Sequence, residues 1–144
     1  TRTVQLDYLI YFPPGYNDHP TQEYPLLMYL HGAGSRGDDP EKIKAGGIPY
    51  NLENGQDLPF IILSPQCPAE SHWSLHVHAL NALLDEIVAQ HRVDEKCLYL
   101  TGASLGGAGV WFLAANYPTH FAAIAPLCGR IVPLPLTLLT NLPI

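Results

Sequence analysis

Short apolar runs alternate along this chain with longer stretches in which apolar residues recur every three or four positions. Val4 to Phe12 alternates into Pro13-Pro14-Gly15, which predicts a strand closed by a turn. Tyr24 to Leu30 is continuously apolar and predicts a buried strand, as does the shorter Phe60-Ile61-Ile62-Leu63. Leu80, Leu83, Leu84, Ile87 and Val88 form a helical stripe that ends near His91. Cys97 to Thr101 is a short apolar and aromatic run, and Leu105 to Tyr117 follows as a helix with Val110, Trp111, Leu113 and Ala114 to pack on a sheet, stopped by Pro118. Strands and helices therefore alternate, which implies a mainly parallel sheet with helices on both faces. Pro40 to Asp57, polar and glycine-containing, is expected to be a loop or short helix near the mouth of the site; no internal repeat is present.

Composition narrows the class. The 144 residues are 47% hydrophobic and 14% charged, with 14 prolines and 12 glycines, the balance of a globular, loop-rich single domain. A formal charge of -6 argues against nucleic acid or an anionic membrane surface as partner. No stretch has about 18 consecutive apolar residues, as a membrane-spanning helix needs, and no segment has the pattern of a signal peptide, so the compartment stays open. Cys67, Cys97 and Cys128 are odd in number and widely spaced, supporting neither a disulfide framework nor a zinc site. His72, His76 and His78 lack a carboxylate at ligand spacing, so they read as helix-start or rim residues; no metal and no cofactor is expected.

The chemistry centres on Gly102-Ala103-Ser104-Leu105-Gly106, a G-x-S-x-G motif between a predicted strand and a predicted helix. A serine hydroxyl is a weak nucleophile unless a sharp turn holds it where a base can reach it, and glycines two positions to either side remove side chains that would collide there. The helix that begins after Ser104 aims free backbone N–H groups at the site, which makes the Leu105 amide a candidate oxyanion donor. A second donor is expected in His31-Gly32-Ala33-Gly34-Ser35-Arg36-Gly37-Asp38-Asp39, the loop after the first buried strand: Ala33 first, Gly34 next. The same loop matches a dinucleotide fingerprint at Gly32, Gly34 and Gly37, but Asp38, Asp39 and Glu41 crowd negative charge where a pyrophosphate would lie. Arg36 is expected to pair with Asp38 and Asp39 and so fix the loop. His120 follows the elbow helix and is expected about 20 Å from Ser104, too far to act as its base.

Together with Ser64-Pro65-Gln66-Cys67-Pro68, Trp73 and Arg92-Val93-Asp94, these motifs resemble the phospholipase/carboxylesterase-like α/β-hydrolases, similar to polyhydroxybutyrate-depolymerase-like and feruloyl or acetyl-xylan esterases. The resemblance covers about residues 8 to 128 and implies an α/β-hydrolase fold, Ser104 as nucleophile, the Ala33 and Leu105 amides as oxyanion donors, and a pocket with His31 on its wall and Trp73 either on that wall or anchored in the core. It implies a serine carboxylesterase acting on small-molecule or polysaccharide-linked esters, with short acyl groups. Leu105 stands where the family usually has Met, a swap of similar volume.

The family's triad Asp and His follow the serine, whereas this chain has no acidic residue after Ser104 and only His120. Residues 1–144 are thus expected to be an incomplete, C-terminally truncated hydrolase domain, poorly active alone, with Asn141 to Ile144 opening the strand that delivers the Asp. The alternative is a catalytically incomplete assembly or swapped module. Its apolar, proline-interrupted tail, Ile131 to Leu139, would drive self-association or pairing with a complementary C-terminal segment.

Overall fold

A computed structural model describes residues 5–131 and 133–144. Five strands form one sheet: β1 (Tyr8–Tyr11), β2 (Tyr24–Leu30), β3 (Ile61–Pro65), β4 (Val93–Ala103) and β5 (Ala123–Leu127), in the spatial order β1-β3-β2-β4-β5. Only β1 runs antiparallel, pairing Tyr8 with Pro65 and Tyr11 with Ile62; the other pairings are parallel. Of the predicted first strand, Val4 lies outside the described residues. The Cys97–Thr101 run proves to be the centre of a longer strand, because β4 extends back to Val93, which pairs with Tyr24 across an irregularity in register.

Three helices flank the sheet: α1 (Gly47–Glu53), α2 (Val77–Gln90) and α3 (Leu105–Asn116). The α2 stripe Val77, Leu80, Leu83, Leu84 and Ile87 is buried with Leu26, Met28, Leu30, Ile61, Leu63 and Leu100, and with Val110 and Leu113 of α3, in one core. The opposite face carries α1 and the 3₁₀ helix Pro40–Ala45, into which the polar 40–57 segment folds. Helices therefore lie on both faces, but unequally. Ala125 and Leu127 of β5 stay exposed, Leu127 at 55%.

The tail is partly folded back. Leu139 and Leu142 are buried in the core, and the Ile124 amide donates to Pro143 O at 3.0 Å. Residues 141–144 form no strand; a short 3₁₀ turn, Leu136–Leu139, precedes them. Ile131, Leu138 and Ile144 remain at least half exposed, and Val132 lies outside the described residues.

Candidate active site

The site is assembled at the C-terminal ends of β2 and β4. Their register pairs Leu30 with Gly102, so the loop leaving β2 and the turn leaving β4 emerge side by side. Ser104 sits on that turn at φ 56 and ψ -116, a conformation L-residues rarely adopt, with its side chain exposed. Its amide donates to Leu127 O at 2.9 Å, and its carbonyl accepts from the Ala108 amide at 3.0 Å, so neighbouring strand and helix hold the strained backbone between them.

The glycines around Ser104 are required by close approach. A Cβ on Gly102 would lie 2.6 Å from Gly106 O and 2.7 Å from Leu30 O. One on Gly106 would lie 2.5 Å from the Leu30 carbonyl carbon and 2.8 Å from His31 O, and one on Gly109 would meet the Trp73 ring. Each helical glycine lowers helix propensity by about 1 kcal/mol relative to Ala, so α3 exists through packing and its glycines serve contact with β2 and Trp73.

Gly32 lies against Ser104: a Cβ built on it would be 3.8 Å from Ser104 Cβ and 3.6 Å from Ala103 O. The next residues form the 3₁₀ turn Ala33–Ser35. The Ala33 and Gly34 amides make no hydrogen bond among the described residues, nor does that of Leu105, whose helix position leaves it without an intrahelical partner. These three candidates thus stand on the two segments that flank Ser104.

His31, expected on a pocket wall, and Trp73, expected there or in the core, are each 1% exposed and form a prop beneath the loop. Their rings lie 5.0 Å apart, and Trp73 Nε1 donates to His31 O at 3.0 Å. The Cys67 amide donates to His31 Nε2 at 3.0 Å, so Nε2 is the acceptor and Nδ1 carries the proton it donates to Gly32 O at 2.6 Å. Burial lowers the His31 pKa, an effect the Gly32 bond opposes and nearby Arg36 reinforces. The expected Arg36 pairing with Asp38 and Asp39 is corrected: Arg36 Nε donates to Ala33 O at 3.1 Å and Nη1 to Ser71 O at 2.9 Å. Two backbone carbonyls offer fixed acceptors, whereas the two carboxylates are open to water.

Three of the other histidines are hydrogen-bonded elsewhere. His76 Nε2 contacts Ser71 Oγ at 2.7 Å, His78 Nδ1 contacts Tyr117 Oη at 2.6 Å, and His120 Nδ1 contacts Asn81 Oδ1 at 2.8 Å. His72 and His76 flank the 3₁₀ turn Trp73–Leu75 and do not share a helical face. Among the described residues no three metal-ligating side chains converge, and no histidine hydrogen-bonds Ser104. Reasoning from sequence missed Leu127, whose carbonyl anchors Ser104, and Gly129, whose backbone packs on Gly107 and Ala108. No motif marks either; only knowledge that β5 lies beside β4 finds them.

Residues 73–133 match the family model described as Esterase PHB depolymerase. The chain is 25% identical over 130 residues to the probable feruloyl esterase C of Aspergillus terreus, covering 88% of this chain and 47% of that protein. Over 51 residues it is 35% identical to poly(3-hydroxyalkanoate) depolymerase C of Paucimonas lemoignei, covering 35% of this chain and 12% of that one. A solved structure described as a thermostable esterase superimposes with a TM-score of 0.80 at 28% identity, over 97% of this chain and 41% of its own. The chain thus spans less than half the length of these relatives.

Proposed function

We propose, from an α/β-hydrolase fold shared with esterases, that the chain belongs to a carboxylesterase and that Ser104 is the nucleophile in the hydrolysis of carboxylic esters with short acyl groups. The observation that carries this reading is the exposed Ser104 at positive φ, with Gly32 against it and the Ala33, Gly34 and Leu105 amides on either side. Ser104 Oγ attacks the ester carbonyl, and the negative oxygen that develops is received by the Ala33 and Leu105 amides, with Gly34 as the next candidate. The alcohol leaves, an acyl-serine remains, and water releases the acid. In this reading the substrates are small-molecule or polysaccharide-linked esters; the name of one relative, probable feruloyl esterase C, supports ester chemistry of this kind.

The general base and its carboxylate partner come, in this reading, from outside residues 1–144. Among the described residues His31, His76, His78 and His120 are each hydrogen-bonded elsewhere, and no acid follows Ser104 within residues 1–144. A remnant of activity from the oxyanion donors is all the 144 residues are expected to show alone. In the ester-hydrolysing protein, Ser104→Ala should abolish hydrolysis of p-nitrophenyl acetate and butyrate while circular dichroism stays unchanged. Retained turnover would refute the assignment.

An assembly role has one observation behind it: Leu127, Ile131 and Leu138 are 55%, 50% and 53% exposed beside the β5 edge. Sedimentation of residues 1–144 decides this reading, which requires an oligomer that dissociates when Leu127 and Leu138 are replaced by Lys.

A further inference from the structure

Gln66 and Cys67 take no part in the chemistry above, yet they make four hydrogen bonds to the loop after β2. Gln66 Nε2 donates to Ser35 O at 2.9 Å and to Asp39 O at 2.8 Å. The Cys67 amide donates to His31 Nε2 at 3.0 Å, and Cys67 O accepts from the Gly37 amide at 3.1 Å. The Gln66 side chain thus ties down the last residue of the Ala33–Ser35 turn and the loop's far end with a single nitrogen.

Gln66 is only 2% exposed, and its Oε1 has no hydrogen-bond partner among the described residues. Its orientation is forced: flipping the amide would set Oε1 against two carbonyl oxygens, so the donors must face the loop and the acceptor stays buried and unsatisfied. Such an orphan carries a desolvation penalty that an apolar side chain of the same length would avoid. The donors on the loop are what glutamine adds at this position.

We propose that Gln66 is a positioning residue for the oxyanion hole, its amide holding the Ala33–Ser35 turn so that the Ala33 N–H faces the oxygen on which charge develops above Ser104. The inference rests on the esterase reading. Gln66 touches no substrate; it acts through the turn. Oxyanion donors act only when preorganised, and misplacement of catalytic geometry by about 1 Å costs on the order of a hundredfold in rate.

The test uses Gln66→Met, which keeps length and removes both donors, and Gln66→Glu, which keeps shape and exchanges the donors for acceptors unless the carboxyl is protonated. Both are assayed in the ester-hydrolysing protein, with reactive serine counted by irreversible phosphonylation so that kcat refers to folded sites only. Gln66→Met is expected to lower kcat per labelled serine by about 10- to 100-fold with KM within about twofold of the original. Affinity for a trifluoromethyl ketone, whose adduct places an oxyanion in the hole, should fall by the same factor as kcat/KM. For Gln66→Glu, the ratio of its kcat to that of the unmodified protein should rise as pH falls, because the protonated carboxyl regains one donor. If Gln66→Met does not fold, that pH-dependent ratio decides. A kcat per labelled serine equal to the original in the folded variants, with only a lower Tm, overturns the proposal. Hydrolysis that survives Ser104→Ala overturns the assignment of Ser104 as nucleophile instead, whatever the Gln66 variants do.

Discussion

Gly106→Ala tests whether the glycine after the nucleophile is there for steric reasons. The added methyl would stand 2.5 Å from the Leu30 carbonyl carbon, 2.8 Å from His31 O, and closer still to Leu30 O. Ordinary contact begins near 3.4 Å, and because Leu30 O is the nearest atom, α3 and the end of β2 must part by clearly more than the roughly 1 Å that the carbonyl carbon alone would require. All three atoms are backbone, and no side chain can rotate away. Overpacking of this kind costs about 3 kcal/mol at the upper end of its range, while Gly to Ala in a helix returns about 1. The net loss is about 2 kcal/mol, or roughly 7 °C in Tm for a domain of this size. The same parting moves Ser104 relative to the Ala33 turn, so turnover of p-nitrophenyl acetate in the ester-hydrolysing protein should fall about 100-fold. Gly34→Ala is the control for stability: nothing lies within 4 Å of its added methyl, and Tm should be unchanged or slightly raised. Thermal melts of the two variants side by side check this; a Gly106→Ala melt within a degree of the original would refute the steric account.

Three further outcomes are expected. Ala33→Pro should cut turnover by about 100- to 1000-fold with little change in Tm, because Ala33 begins its turn, its N–H has no partner among the described residues, and Gly32 at φ -78 and ψ -179 already suits a following proline; steady-state kinetics beside a melt checks both halves. Ser104→Gly should raise stability by about 1 kcal/mol, seen as a Tm gain of a few degrees, because glycine relieves the strain at φ 56 and loses part of that gain to backbone entropy. Stability should fall as pH drops below about 6.5: burial depresses the pKa of His31 and His76, so in that interval the unfolded chain binds protons that the folded chain refuses, and Tm rises with pH until both are neutral in either state. A Tm that stays flat or rises as pH falls from 7 to 5 contradicts the reading that burial of His31 and partial burial of His76 hold both neutral.

Ser104 was legible because its motif needs both glycines and a strand-to-helix context, and all three requirements are local. The Tyr24–Leu30 strand and the Leu80–Ile87 stripe were legible for the same reason, each period being written in consecutive residues. What escaped was long-range. Arg36 was matched to the nearest carboxylates in sequence, whereas the loop turns it toward Ser71 O, 35 residues away. His31 and Trp73 carry chemistry-bearing rings beside the motif, but whether such a ring faces substrate or core depends on which segments cross beneath it, and Cys67 and Gly109 do so here. The unequal cover of the sheet depends on strand order, which hydrophobic periodicity does not encode.

The pairing of Leu30 with Gly102 also bears on how the molecule folds. Neither segment can recognise its neighbour until a loop of about seventy residues has closed, with β3 and α2 inside it, and closure on that scale is what slows folding of parallel sheets. Ser104 and the Ala33 turn therefore stay separate through the early local events and meet only when this central pairing forms. Assembly of the Ser104 turn against the Ala33 turn should coincide with the rate-limiting collapse, so that a partly folded chain exposes apolar strands before this site exists.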